Sequence, residues 1–239
     1  MAQPKRNQKT HSKITISTVE FYKIYMVMFH RLASGYSAYE QSFLLGKTDL
    51  FVRDVENPLK SKRYNIDDAN YILLIYNLSW KDIIPAEALQ DNYQLEVTSY
   101  PGDKRIPVYE IRKSAKESGS VLFRNFTLDK NEEKSEILIV TEEDKHVEPA
   151  TQLFLSTYDD VKIYIDKLLI GIFFTEPKRA LDIFKQCQLK FGITFHPRNM
   201  IKVLNFYTNK KSGVPKLDKE RRDEFGRMLF VNSSSMHLH

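Results

Sequence analysis

The sequence predicts a mainly α-helical protein with a smaller β portion. Apolar residues recur at helical spacing in residues 17–34, 66–78 and 158–174, a pattern typical of helices with one buried face. Between residues 94 and 113 the apolar period becomes two, interrupted by a Pro-Gly turn, which predicts a β-hairpin. The chain therefore divides by pattern into helical ends and a β-containing middle.

Composition limits the classes of protein to consider. The 239 residues are 42% hydrophobic and 12% aromatic, which is compatible with a packed core. The net charge is +5, with basic ends and an acidic middle, an asymmetry that suits either a polyanionic partner or a solvated surface. The single cysteine, Cys187, rules out an internal disulfide framework and is expected to be a buried small hydrophobe in a reducing compartment. No apolar run spans a bilayer and no secretory signal is visible, so we expect a cytoplasmic protein without a membrane partner.

Residues 37–56 carry the signals of two short helices joined by a tight turn. Ser37 and Glu40 have the spacing of a capping box, and Gly46 can adopt the left-handed conformation that ends a helix. Thr48 is placed to cap a second helix, in which Val52 and Val55 share a buried face. This arrangement predicts a helix-turn-helix whose second helix can enter a DNA major groove.

The residues of this segment resemble the phage-repressor (Cro-type, XRE) helix-turn-helix family over about residues 19–85. The matching residues are Ser37, Ser42, Leu44, Leu45, Gly46, Thr48, Val52, Val55 and Glu56. The resemblance implies a five-helix N-terminal domain in a bacterial or phage-like regulator that binds half-sites as a homodimer. The chain departs from the family at Ala38, where Gln is usual, and at residues 49–51, where small polar residues are usual. Arg53 is then the expected base or phosphate contact in the second helix.

The loop after this second helix carries three cations, Lys60, Lys62 and Arg63. In the resembled family this loop touches the DNA backbone, and cations there add salt-dependent affinity that is blind to sequence. The alternative is that the fold is kept while its groove-binding face has become a protein-contact face. Leu50 and Phe51 would then be the contact residues.

The middle and C-terminal segments give weaker signals. Further strands are predicted at residues 121–126 and 137–141, around a polar loop at 129–135, in a segment suited to dimerisation, partner contact or spacing. Helices are predicted at 158–174, from Pro177 to Leu189 and from Pro197 to Thr208, followed by a hairpin. This order is the outline of a winged helix.

On the winged-helix interpretation, the third of these helices reads DNA. Its outward residues would be Arg198, Asn199, Lys202, Asn205 and Asn209, with Lys210, Lys211 and Arg227 near phosphates. The alternative is a helical bundle whose basic rim makes dimer contacts.

The expected division is a disordered basic arm (1–14), a helix-turn-helix domain (15–86), a β-rich middle (87–150), a helical C-terminal domain (151–231) and a tail (232–239).

The six His and the acidic pairs lack catalytic or metal-ligand spacing, so we expect no enzyme activity, metal or cofactor. The predicted function is a transcriptional regulator that binds double-stranded DNA at an operator or promoter as a homodimer. The alternative is a protein-interaction adaptor. The predicted DNA-contact residues are Ser37, Thr48, Asp49, Phe51, Arg53, Lys60, Lys62, Arg63, Arg198, Lys202, Lys210, Lys211 and Arg227.

Overall fold

The structure is a computed structural model that describes residues 9–89, 92–102, 107–113, 137–141, 156–210, 216–219 and 222–233. The chain forms two compact units, and each combines two separate stretches of sequence. The first unit contains residues 1–30 and 52–145, and the second contains residues 31–51 and 146–239. Both helices and antiparallel strands are present, so the fold is mixed α/β.

The elements are numbered in chain order. The helices are α1 (Thr18–Ala33), α2 (Ala38–Leu44), α3 (Phe51–Glu56), α4 (Ile66–Tyr76), α5 (Trp80–Ile83), α6 (Tyr158–Ile170), α7 (Ala180–Phe191) and α8 (Arg198–Thr208). The strands are β1 (Thr10–Ser17), β2 (Asn92–Pro101), β3 (Pro107–Lys113), β4 (Ile137–Thr141), β5 (Lys178–Arg179), β6 (Leu217–Asp218) and β7 (Leu229–Asn232). Short 3-10 turns lie at Ala86–Leu89 and Phe173–Thr175.

The first unit contains a four-stranded antiparallel sheet in the order β1-β2-β3-β4. The predicted hairpin at 94–113 is confirmed as β2 and β3, and the predicted strand at 137–141 is confirmed as β4. The expectation that residues 1–14 form a disordered arm is wrong for Thr10 onward, because β1 pairs along its whole length with β2. The second half of β1 alternates Ile14 and Ile16 with the exposed Lys13 and Thr15, which suits a half-buried strand.

One face of this sheet packs against helices of the same unit. Leu95, Val97 and Ile111 are almost fully buried, and the ring of Phe21 in α1 meets that of Tyr93 in β2 edge-on with centroids 5.2 Å apart. The sheet and α1 therefore share one apolar core.

The second unit joins α2 to a run of elements in the order α6, β5, α7, α8, β6 and β7. Its small antiparallel sheet has the order β5-β7-β6, so the last strand lies between the other two. The core includes Phe43 from α2, whose ring centroid lies 5.8 Å from that of Phe230 in β7. Phe184 and Cys187 of α7 are also fully buried. This packing places α2 on the same core as α7 and α8.

Several predicted boundaries differ from those in the structure. Pro177 does not start a helix, because Lys178 and Arg179 pair with Phe230 and Leu229 of β7, and α7 begins only at Ala180. A single five-helix domain over 15–86 is not seen, because residues 31–51 group with the second unit. The predictions for residues 1–8, 121–126, 129–135, 211 and 234–239 lie outside the described residues.

Candidate nucleic-acid interface

Helix α8 has one buried and one outward face. Its buried side chains lie on a broad apolar stripe formed by Met200, Ile201, Val203, Leu204, Tyr207 and Thr208. The opposite face carries Lys202 and Phe206, which are exposed, and continues to Asn209 and Lys210 just beyond the helix end. No acidic residue occurs within Arg198–Thr208. The outward face therefore offers cationic, amide and aromatic groups, and no carboxylate of its own that would repel a phosphate.

The remaining polar residues of this face are half-buried and held by neighbours in the same unit. Arg198 Nε lies 3.4 Å from the Glu40 carboxylate of α2. The Asn199 amide donates to the Ser156 carbonyl at 2.7 Å, and the Asn205 amide donates to the Tyr39 hydroxyl at 2.9 Å. These contacts fix the orientation of the helix, which a groove-reading element requires.

A buried histidine fixes where α8 begins. The Nδ1 atom of His196 accepts the Arg198 backbone N–H at 3.2 Å, and its Nε2 lies 3.2 Å from the Gly35 carbonyl. Because Nδ1 is an acceptor, these contacts assign the proton to Nε2, which donates to Gly35. The imidazole also packs edge-on against Tyr36, with centroids 4.9 Å apart. His196 therefore joins the start of α8 to the segment that precedes α2.

Asp166 of α6 joins the other end of α8 to β6. Its carboxylate accepts from the Tyr207 hydroxyl at 2.7 Å, from Lys216 Nζ at 2.9 Å and from Lys162 Nζ at 3.2 Å. Partial burial on its own would raise the pKa of Asp166, but these three hydrogen bonds outweigh it, so the pKa lies below its usual value. The carboxylate is therefore ionised at neutral pH and stabilises the packing of α8.

The hairpin between β6 and β7 is closed by a bridge between Arg222 and Met228. At its turn the Asp223 carboxylate accepts the backbone N–H groups of Phe225 at 3.0 Å and Arg227 at 2.7 Å. Arg227 is only 1% exposed. The prediction that Arg227 contacts a phosphate is therefore wrong, because its side chain is packed inside the unit beside Gly46.

The two short helices predicted for this segment are present as α2 and α3, but several of the predicted contact side chains are buried. The capping box is confirmed, with Glu40 N–H donating to Ser37 Oγ at 3.1 Å and Ser37 N–H donating to Glu40 Oε2 at 2.7 Å. Ser37 and Phe51 are buried, so neither belongs to an outward contact surface. Thr48 and Asp49 are exposed, but they precede α3, which begins at Phe51.

The cations after α3 are partly used inside the first unit. Lys60 forms an ion pair with Asp54. The guanidinium of Arg63 donates to the carbonyls of Lys60 and Lys62 at 2.7 Å each. Arg53 is half-buried, and Lys60 and Lys62 are exposed. Asp54 therefore offsets one of the cationic charges of this loop.

An open groove of about 540 Å³ lies on the polar face of the first unit's sheet. Lys9, His11, Lys13 and Arg112 line it, together with two carboxylates that pair with the cations. Glu96 lies 3.4 Å from Lys13, and Glu110 lies 2.6 Å from Arg112. Two of the three lysine and arginine side chains in the groove are therefore paired with carboxylates, which weakens its attraction for a polyanion.

Groups that could support catalysis are sparse in the described part of the chain. Burial raises the pKa of the Cys187 thiol to about 12, so it is protonated at neutral pH and is a poor nucleophile. Within the described ranges, no cluster of three or more His, Cys, Asp or Glu residues has the arrangement of a metal site. The same ranges contain no helix that is both long and apolar enough to cross a bilayer.

Two features of the candidate interface were not predicted from the sequence. The helical pattern alone makes Phe206 and Tyr207 equivalent candidates for packing against the core, yet Tyr207 is buried and Phe206 is 49% exposed. The spacing of four residues from Lys202 could have placed Phe206 on the outward face. No sequence signal indicated that Tyr39 and Glu40 would hold a helix more than 150 residues away.

Comparisons with known protein families, with curated proteins and with solved structures give no match for this chain.

Proposed function

We propose that this chain is a sequence-specific DNA-binding protein whose second unit is a winged-helix module. The order helix–strand–helix–helix–strand–strand, with the first strand paired to the last, supports this interpretation. On this proposal α8 enters the major groove, which is wide enough to admit an α-helix. The β6–β7 hairpin is the wing beside it.

The observation that carries the proposal is the outward face of α8. Lys202, together with Asn209 and Lys210 beyond the helix end, can donate to phosphates or to base edges, since Lys suits guanine and Asn suits adenine. The helix itself carries no acidic residue. Its buried face fixes it to the core, so the outward groups are presented on a rigid support.

In the cell, such a protein would act as a transcriptional regulator by occupying an operator or promoter. Winged-helix and helix-turn-helix proteins commonly bind two half-sites, so we propose a homodimer on double-stranded DNA. Lys210 extends the cationic surface of α8 beyond the helix end.

Fluorescence anisotropy with a random-sequence duplex pool tests the proposal. The Lys202→Ala variant should bind more weakly than the unmodified protein, and its salt slope should be smaller by about one phosphate contact. Lys190→Ala is the matched control. Lys190, like Lys202, is an exposed helical lysine of the second unit, but it lies on α7. Equal binding by the two variants, or no salt-dependent binding by the unmodified protein, would contradict the proposal.

A competing function is a protein-interaction adaptor built on the segment between α2 and α3. The observation that favours it is Leu50, which is 46% exposed. Phe51 is buried and drops out of that contact surface. On the adaptor hypothesis Leu50→Asp disrupts a protein complex and Lys202→Ala has no effect. On the DNA-binding proposal Lys202→Ala weakens DNA binding and Leu50→Asp has no effect on it.

A further inference from the structure

Phe206 is the exception among the apolar residues of α8. Met200, Val203 and Leu204 are fully buried, and Tyr207 is 2% exposed. Phe206 is 49% exposed, although its ring is among the largest apolar groups of the helix. This exposure leaves part of the Phe206 ring open to a partner on the outward face of α8.

The neighbours of Phe206 identify the kind of partner. Lys202 lies four residues before it and Asn209 three residues after it, which places all three on one side of the helix. A single apolar ring between polar groups is too small a patch for a stable protein interface. It matches a DNA major groove, in which one apolar group, the C5 methyl of thymine, lies among hydrogen-bonding base edges.

We propose that Phe206 packs against a thymine methyl in the bound major groove and so selects thymine at one position of the site. This inference rests on the proposed function, because it requires α8 to lie in the groove. A cytosine at that position would place the ring beside a polar amino group without a hydrogen-bond partner, which is unfavourable. Lys202 and Asn209 would contact the flanking phosphates or bases and fix the register.

Replacing thymine by deoxyuridine isolates the methyl group, because the hydrogen-bonding groups of the base are unchanged. A site is first selected from a random duplex pool with the unmodified protein. Each thymine of that site is then replaced in turn by deoxyuridine. At one position the unmodified protein should bind about fourfold more weakly, the expected effect of losing about 0.8 kcal/mol from one buried methyl group.

The Phe206→Ala variant should bind the thymine and deoxyuridine duplexes equally, and more weakly than the unmodified protein binds its site. Phe206→Leu should keep part of the preference, because it keeps an apolar side chain. Leu189→Ala is the control in the same unit, since Leu189 is 80% exposed on α7, and it should keep the full preference. Circular dichroism melting checks that each variant is folded.

The two proposals fail in different ways. Salt-dependent binding with no position sensitive to deoxyuridine, or a preference that persists in Phe206→Ala, would overturn the role of Phe206 and leave DNA binding in place. If the unmodified protein binds no duplex in the pool at low salt, both proposals are overturned.

Discussion

The Asp166 side chain joins α6, α8 and β6. It receives hydrogen bonds from Tyr207 of α8, from Lys216 beside β6 and from Lys162 of its own helix. Lys216 and Lys162 also lie over the Tyr207 ring, at 4.6 and 5.9 Å from its centroid. Loss of the carboxylate charge would weaken these contacts together, so the ionisation of Asp166 contributes to holding α8 in place.

The pH dependence of stability follows from the lowered pKa of Asp166. A carboxyl group whose pKa is lower in the folded state stabilises the protein above its unfolded pKa, and this contribution is lost as the pH falls through the folded value. We expect Asp166→Asn to lower the free energy of unfolding by about 1–2 kcal/mol at pH 7, since the site is partly exposed. The difference from the unmodified protein should shrink towards acid pH.

Urea unfolding at a series of pH values between neutral and strongly acid measures this difference. Asp159→Asn is the control, because it removes the same charge from the exposed first turn of the same helix. It should change stability by only a few tenths of a kcal/mol, from the helix dipole. A pH-independent loss in Asp166→Asn would contradict the ionic role.

At the scale of elements, the turn after α2 and the residues that lead into β7 are in direct backbone contact in the second unit. The Gly46 carbonyl accepts the Met228 backbone N–H at 2.9 Å. A Cβ atom at Gly46 would lie 2.9 Å from the Arg227 Cβ and 3.0 Å from the Met228 nitrogen. Gly46 also has a φ of +66°. Both the conformation and the close approach therefore require glycine at this position.

The variant Gly46→Ala should destabilise the protein more than Gly226→Ala does. Both glycines have a positive φ, at +66° and +73°, but a Cβ at Gly226 meets nothing within 4 Å. Gly226→Ala therefore carries only the conformational cost of about 1–2 kcal/mol, and Gly46→Ala adds a backbone clash. Chemical denaturation followed by circular dichroism measures the difference. Equal losses would show that the contact between α2 and β7 contributes nothing.

The whole molecule is organised by segments that are distant in sequence. Because residues 31–51 complete the second unit and residues 52–145 belong to the first, a fragment of residues 15–86 contains parts of both units and all of neither. We expect this fragment to lack a cooperative thermal transition, since its apolar faces have lost their partners. Circular dichroism melting of the fragment and the full chain makes the comparison. A sharp transition in the fragment would restore the expectation of an autonomous N-terminal domain.

Local signals in the sequence predicted local structure well. The capping box at Ser37 and Glu40, the left-handed Gly46 and the β2–β3 hairpin each depend on residues close in the chain, and each is confirmed. The burial of Arg227 was not predictable, because it depends on a segment about 180 residues away. The same reason explains why strand β1 was missed, since its only partner within the described residues is β2, beyond the helices that follow it. On α8 the helical period predicted the exposure of Lys202 and Asn209. Arg198, Asn199 and Asn205 are instead half-buried, because their side chains contact residues distant in the sequence.

Each unit is built from two separate stretches of the chain, and this has a consequence for biosynthesis. The polypeptide leaves the ribosome from its N-terminus, so α2 emerges long before Phe43 can meet Phe230. During that interval Phe43 lacks its contact with Phe230, because about 180 further residues must be translated first. An apolar surface exposed during synthesis is open to non-native contacts, so we expect the second unit to be the slower of the two to complete its core.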